Sequence, residues 1–287
     1  MVEEKAEIGI IGGSGIYDQS IFENVREIVV DTPFGKPSDR IVLGEFEGRR
    51  VAFLARHGKG HRIAPGEIPA RANIYAMKSL GVTHIISPSA VGSLKEEIKP
   101  LDVVIPDQIF DRTKARPSTF FEGGIVCHIS FTDPFCESLS NLLLEIASNL
   151  GKRTHRGTYV CMEGPQFSTR AESFFYRSCG FDVIGMTALP EAKLAREAEI
   201  CYATIATVTD YDVWHEEEED VTIETVIKNV ARNEETVRAI LKEAIPRIPL
   251  EEDCTCRHAL DNAIVTSPDV IPEDLRSKLA IFLRGRV

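Results

Sequence analysis

The run Cys201-Tyr202-Ala203-Thr204-Ile205-Ala206-Thr207-Val208-Thr209 constrains the chain most. It has no charge and is rich in small and β-branched residues, the pattern of a strand buried on both faces. It stops at Asp210-Tyr211-Asp212. Such a strand needs helices on both sides, and open α/β sheets bind ligands beyond the carboxyl ends of their strands. Carboxylates at i and i+2 project to one side of an extended chain. Asp210 and Asp212 therefore predict acid/base or hydrogen-bonding chemistry toward a basic nitrogen.

A second strand-like run, residues 157–162, passes through the turn Gly164-Pro165 into Ser168-Thr169-Arg170-Ala171-Glu172. Ser/Thr with an acidic residue one turn later marks a helix start, so Glu172 is read as a cap. Near the N-terminus, residues 7–11 form a strand that runs into Gly12-Gly13-Ser14-Gly15. The glycines permit close backbone approach to an anion, but the spacing fits neither a dinucleotide fingerprint nor a P-loop. A dehydrogenase reading is disfavoured accordingly.

Strands over 40–46 and 50–55 are joined by Glu47-Gly48 as a hairpin, and the second ends in Arg56-His57-Gly58-Lys59-Gly60-His61-Arg62. This is the densest basic cluster in a chain of net charge −11 and predicts an oxyanion site. Further on, helices are expected over 68–80, 134–150, 190–198, 221–244 and 273–283, and strands over 83–87, 102–106 and 181–187. Residues 107–121 read as a loop, a lid or a subunit contact. Residues 251–270 read as a tail with little structure. The fold class is α/β: a single domain with a central mixed β-sheet flanked by helices. A catalytic unit over 1–250 is expected to carry residues 251–287 as a Cys-x-Cys tail and short helix packed on it.

With 287 residues the chain can bury a substantial core, and its acidic balance argues against a nucleic-acid surface. It has no run of 18 apolar residues and begins with an acidic segment leading into a strand, so a cytoplasmic, non-membrane protein is expected. Seven cysteines are present. Cys254-Thr255-Cys256 reads as a strained disulfide, half of a metal site, or two thiols. With no second Cys/His pair at zinc spacing nearby, no metal is expected. Scarce Asn and Gln hint at a thermophilic source, in which intracellular disulfides become plausible.

Seven motifs, in order, resemble the trimeric purine nucleoside phosphorylase family, closest to its 5′-methylthioadenosine-cleaving branch of thermophilic archaeal type. They are Gly12-Gly13-Ser14-Gly15, residues 32–38, Arg56-His57-Gly58, Arg71-Ala72-Asn73-Ile74, residues 163–172, Gly185-Met186-Thr187 with Pro190-Glu191, and residues 209–212. The likeness spans about residues 7–245. It implies that Ser14, Arg56, His57, Ser89, Ala90 and Thr187 hold phosphate. Met186 would meet the ribose, Phe167 would lie against the base, and Ser168 at its polar edge. Asp210 would be the acid beside purine N7, and Asp212 would face the 6-amino group. Val221, Ile223, Val226 and Ile227 would form the apolar 5′ pocket, and His128 would be lent by a neighbouring subunit of a homotrimer or dimer of trimers. The resemblance implies no cofactor, with inorganic phosphate as co-substrate. It also suggests a Cys136–Cys201 disulfide, as in some relatives. Two departures stand out: Ser14 where the family often has Thr, and Gln166 where many relatives have Arg. Alternatives are a broad purine nucleoside phosphorylase or one preferring 6-oxopurines, the latter disfavoured by the two aspartates, and a nucleoside sensor without turnover.

Overall fold

The computed structural model describes residues 4–13, 16, 22–215, 223–251 and 253–286, with the side chains of 223–227 outside that description. Among the described residues, one mixed sheet of eleven strands organises the molecule. Its strands are β1 (Ile8–Gly12), β2 (Glu23–Ile28), β3 (Ile41–Phe46), β4 (Arg49–Ala55), β5 (His84–Ser93) and β6 (Val103–Val104), then β7 (Gln108–Arg112), β8 (Thr154–His155), β9 (Thr158–Met162), β10 (Val183–Gly185) and β11 (Cys201–Asp210). The main path runs β2-β3-β4-β1-β5-β10-β9-β7, and β11, β6 and β8 branch from β5.

Strand β5 is the pivot. It runs parallel to β1 only over His84–Ile86, parallel to β11 from His84 to Gly92, and antiparallel to β10 at Gly92 and Ser93. Past Ile86 the β1 strand parts from it, and β10 joins only six residues later. A crevice opens between strand ends there, the place where α/β sheets bind ligands.

Helices cover both faces, as the unbroken burial of β1 and of β11 up to Thr209 requires. Helices α1 (Ala70–Ser79) and α4 (Glu191–Glu197) pack with Ile11 and Ile85 on one face, through Ile74, Met77, Ala192 and Leu194. Helices α2 (Glu137–Asn149) and α5 (Ile223–Ala244) pack with Ile10 and Ile86 on the other, through Leu143, Ile146, Val237 and Ile240. Neighbouring strand residues point to opposite cores, as the two-residue pleat dictates. Helix α3 (Arg170–Ser178) lies beside the crevice.

The hairpin at Glu47-Gly48 forms as expected. Both residues have positive φ (49° and 73°), the twist that suits two-residue turns between antiparallel strands. Other expectations need correction. The strand expected over 83–87 runs on to Ser93 through Pro88, which lacks an N–H but sits beside Ile205 in a parallel ladder. The loop expected over 107–121 begins with β7, a parallel partner of β9. The tail is folded. It holds short turns at Thr255–His258 and Pro268–Val270, and the last helix divides at Leu279 into α6 (Glu273–Lys278) and α7 (Ala280–Leu283). Phe282 of α7 is buried with its ring 4.5 Å from Phe120 and 5.7 Å from Tyr75. The Cys136–Cys201 disulfide is also corrected: all seven cysteines are free thiols. Cys136 Sγ instead lies 3.6 Å from Cys254 Sγ, well beyond a bonded separation of about 2.05 Å.

Candidate active site

Arg56 follows the last residue of β4 and is 2% exposed. Its guanidinium forms a fork-to-fork pair with Glu191 at the start of α4, Nε to Oε2 and Nη2 to Oε1, each 3.1 Å. Nη2 also donates to the Ile11 carbonyl and to Ser87 Oγ at 2.6 Å, and Nη1 donates to the Pro88 carbonyl at 3.1 Å. Glu191 accepts in addition from Ser87 Oγ (2.6 Å) and Tyr202 Oη (2.8 Å). Four strands (β1, β4, β5 and β11) are thereby fixed to one helix. Arg56 is thus chiefly a bracket. A guanidinium has five N–H groups, two of them on Nη1, so one remains beyond the bond to Pro88.

His57 is not a cation here. Its Nδ1 lies 2.9 Å from the Ile63 carbonyl, which only accepts, so Nδ1 carries the proton. Burial, helped by the charge of Arg56 and opposed by that bond, pushes its pKa down to about 4. The ring stacks on His61 at 4.2 Å. At neutral pH Nε2 is therefore an acceptor.

Across the crevice Ser89 Oγ lies 3.0 Å from both Thr187 Oγ1 and Tyr159 Oη. Tyr159 is fully buried, and burial raises its pKa to about 12, so it stays a phenol. A Cβ on Gly185 would lie 2.0 Å from Tyr159 Oη, so only glycine admits the ring there. Sequence reasoning missed Tyr159 because it sits inside a strand reading as core. Ala90, next to Ser89, is exposed.

Arg116 is the second missed residue. Its side chain is 3% exposed. It donates to the carbonyls of Met186 (2.6 Å), Leu189 (2.7 Å), Met162 (3.2 Å) and Glu163, and pairs with the Glu163 carboxylate at 3.2 Å. It binds the β9 exit to the β10 exit and so positions Met186. The expected lid is, at this residue, a fixed strut.

At the end of β11 the two aspartates are tied together. The Asp212 amide donates to Asp210 Oδ1 at 2.8 Å, and Thr209 Oγ1 donates to Asp210 Oδ2 at 2.6 Å. Gly92 makes room: a Cβ there would lie 2.9 Å from Asp210 Oδ1. Asn229 and Asn233 of α5 hold the Thr209 and Val208 carbonyls at 2.6 and 2.9 Å. Asp212 has φ of 53° and is 8% exposed. Its Oδ2 is buried without a geometrically sound hydrogen bond, although the Ser173 and Ser168 hydroxyls are near enough to favour its charge. Burial outweighs them and, with the nearby Asp210, raises its pKa to about 6.

Helix α3 brings Ser173 and the adjacent Ser168 to this point. It starts as its sequence dictates: Thr169 Oγ1 accepts from the Glu172 amide (3.2 Å) and Glu172 Oε2 accepts from the Thr169 amide (2.9 Å). Phe167 is 47% exposed at the mouth. Trp214 closes the rear, donating to the Ser93 carbonyl at 2.7 Å beneath the guanidinium of Arg177.

Ser14 and Val221 lie outside the described residues. Ile223, Val226 and Ile227 are placed by backbone alone, in the first turns of α5. His128 is exposed on a separate cavity of about 840 Å³, lined also by Asp107, Asp133, Arg196 and His258. The structure thus gathers Arg56, Ser89, Thr187 and Met186 with Asp210, Asp212 and Ser168 around the crevice, and leaves His128 apart. No helix among the described residues is long and apolar enough to cross a membrane.

The chain belongs to the phosphorylase superfamily, whose model matches residues 7–246. Among its relatives, the S-methyl-5′-thioadenosine phosphorylase of Chloroflexus aurantiacus is 57% identical over 277 residues, covering 96% of each chain. A methylthioadenosine phosphorylase from an antarctic soil metagenomic library superposes with a TM-score of 0.93 at 49% identity, covering 98% of this chain and 99% of that one. The Schistosoma mansoni methylthioadenosine phosphorylase, solved with adenine, gives 0.85 at 39% identity over 92% of this chain and 100% of that one.

Proposed function

We propose that this protein cleaves 5′-methylthioadenosine with inorganic phosphate, giving adenine and 5-methylthioribose 1-phosphate. The C1′–N9 bond breaks, a phosphate oxygen bonds to C1′, and the purine takes up a proton at N7. The observation that carries the reading is the spacing along β5. Ser89, with the Thr187 and Tyr159 hydroxyls, marks an anion end, and Gly92, backing Asp210, marks a base end. Three strand residues span about 10 Å, room for a ribose between phosphate and purine. The high identity to enzymes named for this substrate supports the choice of nucleoside.

In this reading Ser14, Ser89, Thr187 and the backbone at His57 and Ala90 supply donors to phosphate. Arg56 adds its remaining Nη1 N–H. Met186 meets the ribose hydroxyls, Phe167 lies on the base, and Ser168 meets its polar edge. Asp210 delivers the proton to N7, a role worth about 10²–10⁴-fold. Asp212, charged when a 6-amino donor arrives, selects adenine over a 6-oxo acceptor. Val221, Ile223, Val226 and Ile227 line the methylthio pocket. His128 of a neighbouring subunit completes it in a homotrimer, and residues 251–287 belong to the same catalytic unit. Phosphate is the only co-reactant.

The test is adenine release from methylthioadenosine with and without phosphate, with adenosine and inosine in parallel. Strong, phosphate-dependent release that exceeds inosine cleavage is expected. Inosine cleaved as well or better would overturn the base assignment, and no turnover of any substrate would leave a binding protein.

A further inference from the structure

Four cysteines from three distant segments meet at the opposite end of β11 from the aspartates. Cys136 caps α2, Cys201 opens β11, and Cys254 and Cys256 come from the tail. Their sulfurs all lie within 4.8 Å of one another. From this geometry we infer that Cys136, Cys201, Cys254 and Cys256 bind a structural Zn²⁺ ion through four thiolates.

Zinc prefers four sulfurs at about 2.3 Å in a tetrahedron, whose edges are then about 3.8 Å. The Cys136–Cys254 separation of 3.6 Å already matches such an edge, and the limit of 4.8 Å leaves about 1 Å of contraction for the others. The frame is built. The Cys136 amide donates to the Tyr202 carbonyl at 2.8 Å, which pins the α2 cap beside Cys201. The Arg257 amide donates to the Cys254 carbonyl at 2.8 Å, which curls Cys-x-Cys so that both thiols face inward. Cys136, Cys201 and Cys256 are at most 2% exposed, and Cys254 packs on the same apolar cluster as Leu139, Ala203 and Ile248. A dry all-sulfur site suits a soft-tolerant tetrahedral ion and rejects Mg²⁺ or Ca²⁺. On binding, four thiols release their protons to solvent and each sulfur donates an electron pair, with no redox change.

Cys201 and Asp210 are the first and last of ten strand residues, about 30 Å apart, so the ion takes no part in catalysis. It ties the tail to α2 and β11. The sequence reading of no metal sought zinc spacing locally, whereas the partners of Cys254 lie about 50 and 120 residues upstream.

Cobalt is the probe. The wild-type chain, reduced and desalted without oxygen, is titrated with Co²⁺. Thiolate-to-cobalt charge-transfer and intense tetrahedral ligand-field bands should saturate near about one cobalt per chain and vanish on adding Zn²⁺. Cys254→Ser and Cys256→Ser should abolish the bands while phosphorolysis at moderate temperature continues. Zinc should also shield these four thiols from alkylation. Absent cobalt bands in the reduced wild type would overturn the inference. So would equal alkylation with and without zinc, or disulfides among these cysteines in protein isolated from zinc-supplemented cells. None of these readouts depends on which nucleoside is cleaved.

Discussion

The two ends of the crevice satisfy their charges in opposite ways. At one end the Arg56 guanidinium donates two hydrogen bonds to the Glu191 carboxylate, and Ile11, Pro88, Ser87 and Tyr202 take up nearly everything left over. At the other, Asp212 is buried with one oxygen unmatched and a pKa raised to about 6. A saturated ion pair resists change and serves position. A half-satisfied carboxylate can respond when a ligand brings a donor. The crevice thus joins a rigid end to a responsive end through β5.

Breaking the rigid end should have the largest effect. Glu191→Ala leaves Arg56 buried without its counter-charge, which costs about 3–5 kcal/mol. Urea unfolding should show that loss, with Glu191→Gln milder. A loss below about 1 kcal/mol would mean that the guanidinium finds water and that the pair is no bracket. Next comes the proposed proton donor. Asp210→Asn should reduce methylthioadenosine turnover by about 10²–10⁴-fold while adenine binding survives. Near-normal turnover would remove Asp210 from the acid role and shift attention to Asp212.

The responsive end makes a prediction in pH. Asp has an ordinary pKa of about 3.9, and Asp212 in the fold is at about 6. The fold therefore favours its protonated form. The stability it contributes is complete below about pH 4 and is lost as the pH rises through about 6, by at most about 3 kcal/mol. Asp212→Asn should not show that loss, so its stability relative to wild type should improve between pH 4 and pH 8. Parallel stability curves would show that Asp212 is solvated after all. Adenine, whose amino group favours the carboxylate, should bind wild type more tightly above pH 6 than below it.

Legibility in the sequence followed range. The strand of residues 201–209, the capping box at Thr169 and Glu172, the hairpin at Glu47-Gly48 and the helices over both faces are local patterns, and each is present. What escaped was set by distant partners. Tyr159 and Arg116 acquire meaning only when β5, β9 and β10 converge, Ser87 only when β4 and α4 meet β5, and β7 reads as strand only once β9 lies beside it. Arg56 was visible as a basic residue but not as half of a buried pair, because Glu191 is 135 positions away. The cysteines fail the same way: spacing along the chain hides what the tail brings together.

The smallest effect is expected among the neutral hydroxyls of the proposed anion end. Tyr159 Oη shares Ser89 Oγ with Thr187, and losing it removes one hydrogen bond while Ser89–Thr187 remains. A neutral hydrogen bond contributes about 1 kcal/mol, or about fivefold in an equilibrium constant. Tyr159→Phe should therefore raise the KM for phosphate about fivefold and leave the KM for methylthioadenosine unchanged. Gly185→Ala drives a methyl into the same hydroxyl and should shift the phosphate KM in the same direction by more. If both substitutions move the two KM values together, the hydroxyl trio is packing rather than an anion cradle. The rigid end would then rest on Arg56 and the backbone alone.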